Sequence, residues 1–130
     1  MTPELTALAA VLLIQIAALS LMAAIANLEL GHQVTLGPRD GKMPPVSVRL
    51  GRAMRAVQNG FEGLALFAPA VLLVALSGQS GPATSAAAWT YAAARLLYVP
   101  AYLFGLSPWR SVIWGVGLAA TLTLILPALF

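Results

Sequence analysis

The stretch Arg52-Ala53-Met54-Arg55-Ala56-Val57-Gln58-Asn59-Gly60-Phe61-Glu62 runs directly into Gly63-Leu64-Ala65-Leu66-Phe67-Ala68-Pro69-Ala70-Val71-Leu72-Leu73-Val74-Ala75-Leu76. The second part has no charge and reads as a membrane span. The first part carries Arg52, Arg55, Asn59 and Glu62, spaced three, four and three apart, so on a helix all four share one stripe. A helix beginning near Arg49 places Glu62 about 20 Å along its axis at 1.5 Å per residue. That depth lies inside a hydrocarbon core roughly 30 Å thick. An ionised group there costs about 2.5 kcal/mol or more, so it pairs within a bundle or lines a wet cavity. A structural Arg–Glu ion pair is one reading of the stripe. Four polar groups on one face favour a ligand site.

Working outward, the composition agrees with a membrane protein. Hydrophobic residues make up 60% of the 130 positions and charged ones 8%, where a soluble domain carries charge at about a quarter of its positions. The chain is therefore read as an all-α integral membrane protein of one domain. Cysteine is absent, which excludes disulfides, thiolate metal sites and a cysteine nucleophile; any thiol chemistry must come from a ligand. No His cluster with metal-ligand spacing occurs, and His32 stands alone after Gly31. Seven Lys and Arg face four Asp and Glu, but they are not spread over a solvated surface as in a nucleic-acid binder. The N-terminus lacks a positive n-region and its apolar run exceeds a signal-peptide core, so it reads as a retained span.

Four spans are expected, at about 3–30, 49–76, 83–106 and 108–130. Thr2 is suited to cap the first, with Pro3 in its first turn, and Ser47 to cap the second. Between them, residues 31–46 are rich in Gly and Pro and read as a loop. Gln15, alone in mid-span, reads as an interhelical hydrogen bond. Asn27 and Glu29, at the far end of the first span, read equally as contributors to a site at that face and as a solvated helix end. The first loop and the turns after it hold Arg39, Lys42, Arg49, Arg52 and Arg55, whereas 77–82 has no charge. By the positive-inside rule the first loop is cytoplasmic and both termini lie outside.

In the third span Arg95 is near the centre, too deep to snorkel, and should point into the bundle. It shares a stripe with Tyr98 and Tyr102, and Pro100 in the same span predicts a kink. A short turn with Ser107 as cap and Pro108 at the first helical position opens the fourth span. Arg110 and Ser111 follow, then Trp114 one turn deeper. Arg110, Trp109 and Trp114 read as interfacial anchors on topology alone, while Arg at a helix N-terminus also suits an anion.

Three of these patterns together resemble the MAPEG family, the membrane-associated proteins in eicosanoid and glutathione metabolism. They are Arg55-Ala56-x-x-Asn59-x-x-Glu62 opening a second span, Arg95-x-x-Tyr98-x-x-x-Tyr102 in a third, and Arg110-Ser111 opening a fourth. The Gly37-Pro38-Arg39-Asp40 loop looks like that of bacterial members, which implies a bacterial inner membrane. The resemblance implies a four-transmembrane-helix bundle assembled as a homotrimer among membrane lipids. Glutathione, as co-substrate, would lie between subunits near the cytoplasmic side. It implies that Arg55, Asn59 and Glu62 hold the tripeptide, that Tyr98 and Tyr102 line its pocket, and that Arg110 and Ser111 lie closest to the sulfur as catalytic residues. Arg52, Gln58, Arg95 and Trp114 complete the candidate binding set. Gln58 stands where glutathione-active relatives commonly carry Arg, and Trp114 where several present a Tyr hydroxyl. Tyr98 replaces a His found in some members.

The activity implied is a glutathione-dependent transferase or peroxidase acting on lipophilic electrophiles from the bilayer. A different class keeps the fold without the chemistry, as a membrane scaffold or lipid-binding protein with structural ion pairs. A proton-coupled exporter would need an acid in mid-membrane on the first span, where only Gln15 stands.

Overall fold

The computed structural model describes the whole chain, Met1–Phe130. It is all-helical: α1 (Pro3–Leu30), a single-turn α2 (His32–Thr35), α3 (Val48–Ser77), α4 (Pro82–Leu103) and α5 (Trp109–Ala128). The one element that the loop reading of 31–46 did not expect is α2. It continues from α1 past Gly31, and the Thr35 hydroxyl donates to Asn27 Oδ1, which folds the chain back on the end of α1.

Three helices are long and apolar enough to cross a membrane: α1, α3 and α5. α4, with 22 residues, has the length to span about 30 Å. Arg95, three tyrosines and two prolines lower its hydropathy below that of the other three. The long helices alternate in direction, so α4 packs against both α1 and α5, and α3 against α1 and α5.

Helix ends follow local chemistry. The Thr2 Oγ1 accepts from Leu5 N at 3.4 Å with Pro3 in the first turn, and Ser47 Oγ accepts from Leu50 N at 3.0 Å. Both side chains satisfy amides that the helix leaves unpaired. The α4–α5 junction differs from expectation. Helix α4 stops at Leu103 rather than 106, because Gly105 adopts φ +65°. The Leu106 and Gly105 amides then close back on the Ala101 and Tyr102 carbonyls at 2.9 and 3.1 Å, a Schellman arrangement that a glycine makes possible. Helix α5 correspondingly begins at Trp109 with Pro108, not Ser107, at its cap and no side-chain cap bond. The Leu106 and Pro108 carbonyls instead accept from Arg110 and Ser111 at 2.9 and 3.0 Å.

The core centres on Phe67, Val71 and Val74 of α3, packed with Ala7, Val11, Ala88, Tyr91 and Leu124. Phe67 and Tyr91 stack at 3.9 Å with their planes 5° apart. In mid-bundle, Gln15 Nε2 donates to the Val57 carbonyl at 3.0 Å, as read from its isolation in an apolar span. Gly60 makes room for it: a Cβ there would lie 2.0 Å from Gln15 Oε1. At the end holding the termini, Glu4 is fully buried and accepts from Ser80 Oγ at 2.7 Å and Thr84 Oγ1 at 2.6 Å. That cluster ties α1 to the start of α4.

Candidate functional site

At the opposite end, between α3, α4 and α5, lies an open cavity of about 400 Å³. Helix α3 contributes Arg55, Gln58, Asn59 and Glu62, α4 contributes Tyr98 and Tyr102, and α5 contributes Arg110, Ser111 and Trp114. Nine of the eleven candidate residues therefore meet at one place, and its volume falls in the range of small-molecule sites, about 300–1,000 Å³.

Arg52 and Arg55 of α3 separate because a helix turns about 100° per residue, so a three-residue step moves the side chain by roughly 60°. Arg55 reaches the cavity, where its Nε donates to Tyr102 Oη at 3.0 Å. Arg52, one turn earlier, lies at the end of α4: its Nη1 donates to the Leu103 carbonyl at 3.3 Å and its guanidinium covers Gly105. A cation at a helix C-terminus is favourable, and Arg52 does not line the cavity.

Arg95 is buried, and it sits behind the wall rather than in it. Its Nη1 donates to Asn59 Oδ1 at 3.0 Å and its Cζ stands 4.4 Å over the Tyr98 ring. Because Arg is donor-only, this contact fixes the Asn59 amide with its oxygen turned to Arg95. The amide nitrogen is left for the cavity.

The aromatic pair organises the cations. Tyr98 and Tyr102 pack at 5.7 Å and 57°. Arg110 Cζ lies 4.7 Å and Arg55 Cζ 5.8 Å from the Tyr102 centroid, so one ring steadies two guanidiniums through its negative face. Glu62 has no cation within ion-pair distance; Arg49–Glu29, at 3.0 Å, is the one salt bridge in the chain. The internal Arg–Glu pair considered for the stripe is therefore not formed, and Glu62 meets only Gln58 Nε2 at 3.4 Å. Asn27 and Glu29 do not reach the cavity. Glu29 accepts from Ser47 Oγ at 2.5 Å and Arg49 Nε at 3.1 Å, and His32 is exposed.

Chemically, the cavity presents two guanidiniums for anions, one free carboxylate for a cation, an amide donor and the Ser111 hydroxyl. Close to the cavity, one buried polar group carried no signal of its own in the sequence: Tyr91, whose hydroxyl has no partner. Its position on the same helix face as Arg95 and Tyr98, four and seven residues on, is the only pointer to it.

Fold and site thus define a helical integral membrane protein with a charged cavity opening at one end of its bundle. The family profile described as the MAPEG family matches residues 7–130, and the chain belongs to that family. Neither the curated proteins nor the solved structures contain a match.

Proposed function

We propose that the protein is a glutathione-dependent membrane transferase or peroxidase built on four spans, with α4 as the third. In this reading it assembles as a homotrimer with the cavity toward the cytoplasm. Family membership supports the class of chemistry. The observation that carries the reading is the charge pattern of the cavity: Arg55 and Arg110 against Glu62, with no internal pairing between them. Glutathione carries two carboxylates and one ammonium, so two guanidiniums and one carboxylate complement it group by group.

In this assignment Arg55 and the Asn59 amide bind the tripeptide, Glu62 receives its ammonium, and Tyr98 and Tyr102 bound its backbone. Arg110 and Ser111 act at the sulfur. A free thiol has a pKa near ~8.5 and reacts as thiolate, so a cation and a hydroxyl donor raise the reactive fraction. Attack of that sulfur on an electrophilic carbon forms a C–S bond while the leaving group departs with its bonding pair. Against a lipid hydroperoxide the sulfur takes the distal oxygen, the O–O bond breaks and the alcohol leaves. A second glutathione then gives the disulfide and water.

The test is conjugation of glutathione to an activated aryl halide by purified protein in lipid nanodiscs, followed by absorbance. Turnover that falls at least tenfold in Arg110→Ala supports the assignment. No turnover in the wild type, with intact helical structure, rejects it in favour of a non-catalytic scaffold. Gln58 and Trp114 at the cavity wall are the features that favour that second reading.

A further inference from the structure

Behind the cavity wall is a second, much smaller chamber of about 30 Å³. Its polar lining is Tyr91, Arg95 and Thr121, and the rest is Gly63, Gly117 and apolar side chains. Trp114 lines both spaces.

Three observations converge on this chamber. Tyr91 is 3% exposed, its ring is held by stacking on Phe67, and its hydroxyl is the single buried side-chain polar atom without a partner. Arg95 is 7% exposed, faces no carboxylate within ion-pair distance, and spends one of its five N–H donors on Asn59. Gly63 leaves the space between them: a Cβ there would lie 2.5 Å from Tyr91 Oη and 4.0 Å from Arg95 Nη1. Thr121 Oγ1 donates to the Gly117 carbonyl at 3.0 Å, which leaves its lone pairs free to accept.

We propose that this chamber is a single-water site, and that its water joins Tyr91 to the Arg95–Asn59 pair. The volume is that of about one water, and two to four polar partners are what a buried water needs. Three of the four hydrogen bonds a water can make have partners here, within the usual range for a buried water. The water accepts from Arg95 and from Tyr91 Oη and donates to Thr121 Oγ1. Tyr91 is thereby a positioning residue: through the water it gives the Arg95 guanidinium a second anchor, and Arg95 in turn holds the Asn59 amide that faces the large cavity. The site is independent of which ligand that cavity takes.

The experiment uses the intact protein in lipid. Crystals grown with bromide should show a solvent peak without anomalous signal within hydrogen-bond reach of Tyr91 Oη and Arg95, and Tyr91→Phe should lose it. An empty chamber, or an anomalous bromide peak marking a halide site, overturns the proposal. Stability gives a sign test. An unhydrated buried hydroxyl carries its full desolvation penalty, so Tyr91→Phe would raise the unfolding midpoint if no water were there; a water-bound hydroxyl predicts a fall. Positioning is read separately by NMR. The chain has two asparagines, Asn27 and Asn59, so Asn-selective ¹⁵N labelling gives two side-chain amide signals, assigned with Asn27→Ala. The Asn59 signal should shift in Tyr91→Phe and in the near-isosteric Thr121→Val. A stationary signal in both variants overturns the positioning role.

Discussion

Gly60→Ala tests the contact that seats α1 on α3. The added methyl would lie 2.0, 2.8 and 3.0 Å from Oε1, Cδ and Nε2 of Gln15, so the Gln15 side chain must leave and its bond to the Val57 carbonyl is lost. Alanine for glycine inside a helix gains about 0.8–1 kcal/mol of propensity. Against this stand overpacking of about 1–3 kcal/mol and an interhelical hydrogen bond of about 0.6–2 kcal/mol. The balance is a net loss of roughly 1–4 kcal/mol, despite the better helix former. The assay is reversible unfolding in mixed detergent micelles, with Gln15→Ala and the double variant completing a cycle. Gln15→Ala removes the colliding side chain, so the double variant should be at least as stable as Gln15→Ala alone. A Gly60→Ala protein as stable as wild type, or a double variant no better than Gly60→Ala, would refute the reasoning.

The remaining expectations can be checked in the same system. Ser47→Ala removes the cap on Leu50 N and should cost about 1 kcal/mol, read as a lower unfolding midpoint. Arg52→Ala should lower stability by about 0.3–1 kcal/mol through loss of the cation at the α4 C-terminus while leaving glutathione turnover within twofold; a large loss of turnover would place Arg52 in the site after all. Glu4→Ala leaves the Ser80 hydroxyl without its acceptor and Thr84 with only the Gly81 carbonyl, and should cost about 1–3 kcal/mol. It should also open the loop after α3 to protease from the side holding the termini, and unchanged cleavage there would contradict the tie between α1 and α4.

Much of this was legible because local rules decided it. Thr2 and Ser47 cap as their chemistry suggests, Gln15 bonds across helices because it has no other polar neighbour, and family membership could be read from three short strings. The candidate site was legible because helical spacing groups Arg55, Gln58, Asn59 and Glu62 on their own helix. Arg52 marks where spacing fails: a stripe says which residues share a face, not which neighbour each meets along it. The α4–α5 junction was misplaced by a few residues because Gly105 closes the helix before Ser107 can cap the next. Glu4 was invisible, since its partners lie 76 and 80 residues away. The alternative that Glu62 is half of an ion pair is not met, because the nearby arginines face Tyr102 instead.

The most direct measurement is calorimetric titration of glutathione into the purified protein in lipid, with the ultraviolet thiolate absorbance followed in parallel and Arg110→Ala as control. Saturable binding with a thiolate signal that the variant loses is the predicted result. Absence of binding to a folded wild-type protein, or a thiolate signal unchanged by Arg110→Ala, would contradict the assignment of this cavity to glutathione chemistry.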